Sequence, residues 1–205
     1  MRWDRFFDDL EEQLASEWEA ERAALDSEAE RLRLSRVPLR DRLTALAAVE
    51  GGAGASFELR DSTVVVARVS GVGADWVALE PAEGRAGSLI VPLAALMGIG
   101  MPHADLLRSA RPVAASALRD RMTLGFALRD LVRRRIGVTL HLSSGRAVSG
   151  TIDRAGVDHL DLALHEPGTP RRADEVSGHR IVPFDAIVWI RLERARAGSE
   201  RGAGF

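Results

Sequence analysis

The sequence predicts a mainly β protein with α-helical additions: two tandem five-stranded small barrels, each preceded by a helix, behind one long N-terminal amphipathic helix. Three observations carry this. The phrase "IVPLAALMGI" (Ile90 to Ile99) is written a second time as "IVPFDAIVWI" (Ile181 to Ile190). Short alternating apolar segments separated by turn residues lead up to each copy. Finally, residues 3 to 35 contain neither proline nor glycine. The corresponding divisions are a helix over 1–36, a first barrel over 37–104, a second over 105–195 and a flexible tail over 196–205.

In the opening helix the apolar side chains Trp3, Phe7, Leu10, Leu14, Trp18, Leu25, Ala29 and Leu32 recur at steps of 3, 4 or 7. That is the spacing of one stripe on a helix and of a coiled-coil seam. Residues 1 to 35 hold 11 acids against 5 Arg, which suits a solvated outer face. Val37-Pro38 ends the helix. The stripe would be a dimer seam, a partner-binding face or a surface packed on the chain's own barrels. Trp3, Phe7, Leu10, Leu14, Trp18, Leu25 and Leu32 are therefore the candidate partner-binding residues, with homo-oligomerisation through the helix as the expectation.

The repeat extends beyond the closing phrase. "LRDRLT" (Leu39 to Thr44) returns as "LRDRMT" (Leu118 to Thr123), and "GADWVALE" (Gly73 to Glu80) as "GVDHLDLA" (Gly156 to Ala163). The offsets are 79, 83 and 91, so insertions fall in loops. In the second copy "VTLHL" alternates as a half-buried strand, "SSG" turns, "AVSGTIDR" and "DHLDLALH" come next, and "RIVP" and "AIVWIRL" complete the set. Pro92 and Pro183 fall between the last two strands, because proline cannot donate to a central ladder. Each unit of about 65 residues would be marginal alone, so the two should pack together.

This rhythm resembles the Sm-like family, which shares its small-barrel pattern with SH3-like folds. "VTLHLSSGRAVSGTID" is similar to the family's opening strands and "IVPFDAIVWI" to its closing motif. The resemblance implies a short helix leading into a bent five-stranded barrel, and RNA as a ligand. Where RNA-binding members place a base-reading Asn, this chain has Asp161, or Ala78 in the first copy. The family's Arg-Gly before the last strand is replaced by Val182-Pro183 and Val91-Pro92. The opening Met1-Arg2-Trp3-Asp4, Phe7, Asp9-Leu10-Glu11 and Gln13-Leu14 also resembles uncharacterised actinobacterial proteins sometimes labelled Fis-type transcriptional regulators. That label implies a DNA-binding helix-turn-helix, whereas here each "LRDR" segment leads into strands.

Charge is unevenly distributed. Residues 1–104 carry 11 Arg against 18 acids, and residues 105–205 carry 17 Arg against 12. All 28 basic side chains are Arg. The candidate nucleic-acid-binding residues are Arg129, Arg133, Arg134, Arg135, Arg146, Arg154, Arg171, Arg172 and Arg180, since guanidinium forks suit phosphate oxygens. Asp130, Asp153, Asp158 and Asp174 dilute this field. His159, Asp161 and His165 alternate along one strand, but neighbours at i and i+2 stand about 7 Å apart, so they read as a polar strand face and not as metal ligands.

"GGAGAS" (Gly51 to Ser56) lacks the Lys of a phosphate loop and reads as a linker. No cysteine is present, which excludes disulfides, thiolate metal sites and cysteine nucleophiles. No Ser, His and acid constellation is recognisable. The acidic opening is unlike a signal peptide, and the uncharged stretch 87–102 contains Pro92 and reads as strands, so no membrane association is expected. The composite expectation is a non-enzymatic cytoplasmic adaptor or regulator, without cofactor or metal, binding RNA or DNA through its Arg-rich second half. The alternative is a protein–protein scaffold acting through the acidic helix, with no nucleic acid bound.

Overall fold

The computed structural model describes residues 2–49, 54–82, 87–112, 116, 118–169, 172 and 174–193, without the side chains of 2–9 and 20. The chain divides into two units, 1–39 and 40–205. The first is helix α1, Arg2–Ser35, whose uninterrupted run of helix formers is braced by a Glu30–Arg33 ion pair at 2.7 Å. It stops where Pro38 disfavours helical backbone at Val37. Leu10, Leu14, Trp18, Leu25 and Leu32 are all exposed.

The coiled-coil expectation for α1 needs correcting, because its apolar steps do not hold one heptad register. If Trp18, Leu25 and Leu32 occupy one seam position, the other falls on Glu21 or Arg22 and then on Glu28 or Ala29. One heptad before Trp18 the position is Glu11. Two or three of the seven seam positions from Glu11 to Leu32 would be charged.

The second unit takes in helix α2 (Leu39–Ala47), which starts at the boundary residue and continues into it, and also contains α3 (His103–Ser109) and α4 (Leu124–Arg134). Its strands are β1 (Ala55–Leu59), β2 (Val64–Val72), β3 (Trp76–Pro81), β4 (Leu89–Pro92) and β5 (Leu96–Gly100), then β6 (Gly137–Leu142), β7 (Ala147–Ala155), β8 (His159–Leu164), β9 (Gly178–Pro183) and β10 (Ile187–Leu192). All ten form one antiparallel sheet in the order β5-β1-β2-β3-β4-β10-β6-β7-β8-β9. The expected pair of five-stranded barrels is therefore overturned: the sheet is single and open, with β5 and β9 as its edges. The physical reason is the partner chosen by β4. A closed first barrel would join β4 to β5, but β4 pairs with β10, setting Ile90 opposite Ile190 and Leu89 opposite Arg191.

Within the sheet the pairing of one half reproduces that of the other. Ala78 faces Ile90 as Asp161 faces Ile181, and Trp76 faces Pro92 as His159 faces Pro183. Phe57 faces Ile99 as Leu140 faces Ile190. The bulge in β2 between Val69 and Gly71 recurs in β7 between Ile152 and Arg154. Equivalent residues thus lie 83 apart through the first three strands and 91 apart in the last two. Each proline is followed by one 3-10 turn, Leu93–Ala95 and Phe184–Ala186.

The two "LRDR" copies depart from this equivalence. The first opens α2, whereas the second is a 3-10 turn, Arg119–Arg121, ahead of α4. Thr44 donates its hydroxyl to the Arg40 carbonyl inside α2, while Thr123 caps α4 by accepting from the Phe126 N–H. "ALA" after Thr44 continues a helix; "LGF" after Thr123 starts one.

Two apolar clusters fill the unit, and each borrows from the other half. Val188 and Trp189 of β10 belong to the cluster of Phe57, Leu59, Val77, Leu79 and Val91. Trp76 and Ile90 belong to the cluster of Leu124, Leu128, Val138, Leu140, Leu160 and Ile190. Polar bonds reinforce the exchange. Trp76 Nε1–H donates to the Met122 carbonyl at 2.9 Å, the Leu124 N–H donates to Asp75 Oδ1 at 2.6 Å, and Arg40 pairs with Asp120. Gly73 lies against Trp76 and Met122, where a Cβ would overlap both.

On the other side of the junction Trp189 stacks on His141 at 3.4 Å, lies under the Arg191 guanidinium at 5.2 Å and donates to Asp61 at 3.0 Å. Burial, helped by Arg191, holds the His141 imidazole below its usual pKa. Burial opposes ionisation of Asp61, but hydrogen bonds from Thr63 and Trp189 outweigh it and lower its pKa. Among the described residues no helix is long and apolar enough to cross a membrane.

The register supplies an internal control for the junction. Asp75→Ala strips an acceptor from the first turn of α4 and should cost about 1 to 2 kcal/mol in urea denaturation. Its equivalent Asp158 is exposed and, among the described side chains, bonded only to His159, so Asp158→Ala should change stability by less than about 0.5 kcal/mol. Equal costs would contradict the capping role.

Candidate nucleic-acid interface

Beside α4 and the outer strands of the second half lies a concave groove of about 960 Å³. It is built from the C-terminal end of α4 and from β7, β8 and β9. Leu124, Leu128 and Leu131 bury one face of α4, which turns the run Arg133, Arg134 and Arg135 toward solvent. Arg135 is the C-cap, in left-handed backbone with φ 51°, and its N–H reaches back to the Leu131 and Val132 carbonyls. From α4 and its cap, Val132, Arg133 and Arg135 line the groove.

The β7 bulge supplies the opposite wall. Strict alternation would place Arg154 on the same face as Ile152, which is buried. The register shift between them instead exposes Arg154, and it lines the groove beside Thr151 and Asp153. Asp161 of β8 is paired across the ladder with Arg154, and on its other side with Ile181 of β9. Ile152 of β7 and His179, Arg180 and Ile181 of β9 complete the lining, with His179 Nε2 at 3.7 Å from Asp153 Oδ2.

Four of the nine sequence-nominated arginines therefore converge: Arg133, Arg135, Arg154 and Arg180. Arg129, Arg134, Arg146 and Arg172 do not line it. Arg134 is drawn to Asp130 Oδ2 at 2.7 Å, and Arg133 shares that carboxylate at 3.0 Å. Arg129 lies near Gly125, on the earlier turns of α4. Arg146 sits in the β6–β7 turn and Arg172 before β9, while Arg171 lies outside the described residues. On α1 the side chains of Trp3 and Phe7 likewise lie outside what the structure describes; Leu10, Leu14, Trp18, Leu25 and Leu32 form its exposed stripe.

Sequence reasoning missed His179 and the part played by Asp153. The alternation of His179 with Ile181 was available as a signal, but the bulge that turns β7 was not. The alternating trio His159, Asp161 and His165 separates in space. His165 is buried, donating from Nδ1 to the Glu166 carbonyl and accepting at Nε2 from the Thr151 hydroxyl, whereas His159 pairs with Asp158. Among the described residues no group of three or more His, Cys, Asp or Glu is placed to hold a metal.

The repeat shows that the charged strand positions of the groove have uncharged equivalents in the first half. By register Arg154 corresponds to Gly71, Asp161 to Ala78, Arg180 to Leu89 and His179 to Ser88. The hollow beside α2 holds about 230 Å³, and its wall combines Leu46, Ala47 and Met101 with Arg68, Glu80, Asp105 and Arg108.

Because Arg135 holds left-handed backbone, replacing it with glycine removes one groove cation while relieving a backbone cost of about 1 kcal/mol. Arg135→Gly should raise the midpoint of thermal unfolding. A lowered midpoint would mean that the side chain has a structural role outweighing its backbone strain.

Comparison with known proteins finds no family model, no curated protein and no solved structure that matches this chain. The resemblances to Sm-like and SH3-like barrels and to actinobacterial proteins of Fis-type label are thus without support from any relative, and the open sheet contradicts the barrel that the first of them implied.

Proposed function

We propose that this chain is a non-enzymatic cytoplasmic adaptor or regulator that binds the phosphate backbone of nucleic acid in the groove between α4 and β7–β9. The observation that carries this reading is the convergence of Arg133, Arg135, Arg154 and Arg180 on one concavity, against two acids, Asp153 and Asp161, among the described residues that line it. Guanidinium groups match phosphate oxygens in bidentate geometry, and a recessed wall concentrates their field. Gly71 and Leu89, the uncharged register equivalents of Arg154 and Arg180, support a role specific to the second half. Base stacking is not the basis of the reading, because among the described residues no Phe or Trp lines the groove and His179 is its one aromatic ring. Binding through phosphates alone is indifferent to sequence and sensitive to salt.

A specific observation favours a second reading. Trp18 is 69% exposed and continues a stripe with Leu10, Leu14, Leu25 and Leu32 on a helix rich in Asp and Glu. An apolar stripe rimmed by acids suits a protein partner with an apolar cleft and a basic margin. In that reading the chain is a protein–protein scaffold and the groove binds no nucleic acid.

Fluorescence anisotropy with labelled single- and double-stranded RNA and DNA distinguishes the two. Four phosphate contacts predict a loss of roughly a hundred-fold in duplex affinity between about 50 and about 200 mM salt. The Arg154→Ala, Arg180→Ala double variant should reduce the slope of log K against log salt by about 2. No binding to any of the four probes at low salt would reject the groove reading in favour of the scaffold.

A further inference from the structure

The junction inside the chain has two unused halves at its ends. At the β4–β10 seam Ile90 is 5% exposed and Val188 0%, each packed into the apolar cluster of the opposite half. Their register equivalents are Ile181 on edge strand β9 and Met97 on edge strand β5. These stand 70% and 66% exposed. The turn that α4 and its leader cover in the first half, Gly73 to Trp76, also has an open twin: Val157 is exposed, and the Asp158 carboxylate points to solvent.

We infer that β9 of one chain pairs with β5 of a second copy, repeating between molecules the junction that β4 and β10 make within one. The occupant is set by continuity with the existing seam. The edge strand β9 is to β8 what β4 is to β3, and β5 is to β1 what β10 is to β6. Transferring the seam's register places Ile181 opposite Ile99 and Arg180 opposite Gly100 of the second copy. Ile181 then enters the partner's first apolar cluster beside Ile99, as Ile90 enters the second cluster beside Ile190. Met97 enters the partner's second cluster, as Val188 enters the first. Pairing satisfies the outward N–H and C=O groups of two strands that otherwise end the sheet.

This surface differs from the α1 stripe, and the association it produces is head-to-tail. Each copy offers one β5 and one β9, so the seam is heterologous and extends until a ring closes or a filament forms. A symmetric β9-to-β9 or β5-to-β5 pair would use one edge only.

The test is the mass of the full chain by light scattering, with Ile181→Glu and Met97→Arg as variants whose fold is checked by circular dichroism. Both sites are exposed, so neither substitution disturbs a core. The parent should have at least twice the mass of one chain, and each variant alone should be a monomer. Mixed in equal amounts, the two variants should form a dimer, because one retains an intact β5 edge and the other an intact β9 edge. A monomeric parent would overturn the inference. So would parental mass in either single variant, which would assign association to another surface such as α1, or a mixture that stays monomeric.

Discussion

The pairing of β4 with β10 is the constraint on which the second unit depends. β4 is only four residues long, Leu89 to Pro92, and every one of them is buried. Leu89 and Val91 enter one cluster and Ile90 the other, as expected of a strand covered on both faces. β10 is shared in the same way, with Val188 and Trp189 on one side and Ile187 and Ile190 on the other. Two clusters of modest size thereby become one cooperative sheet, which answers the marginal stability of each half alone.

That arrangement was only partly legible in the sequence. The alternation in "VTLHL" and "DHLDLALH", the turns, the proline breaks and the offsets of 83 and 91 all correspond to observed strands and register. Closure was not legible, and the repeat itself is the reason. β5 and β10 close the same ten-residue phrase, so β4 has two partners of similar pattern, and the choice between them is made by tertiary packing. Trp76 and Ile90, covered by α4, favour the partner in the other half. The "LRDR" segments teach a related lesson: identical residues become a helix start or a 3-10 turn according to the residues downstream of Thr44 and Thr123.

For the candidate site, composition located the charge but not its geometry. The arginine excess of the second half was visible, yet among the described residues only Arg133, Arg135, Arg154 and Arg180 share this groove. Arg134 is turned aside by Asp130, four residues before it on the same helix. Arg154 arrives through a bulge that simple alternation does not encode. The same bulge in β2 carries Gly71, so a shared backbone device delivers a cation in one half and nothing in the other. The two halves share a scaffold and differ in what it presents.

Native-state hydrogen exchange tests the role of the seam most directly, because amides opened only by global unfolding exchange last. The account predicts that the amides of Ile90 and Ile190 exchange as slowly as those of Val77 and Leu160, inside the two halves. Rapid exchange at Ile90 and Ile190, with protection kept at Val77 and Leu160, would mean that the halves fold independently and that the β4–β10 pairing does not hold them together.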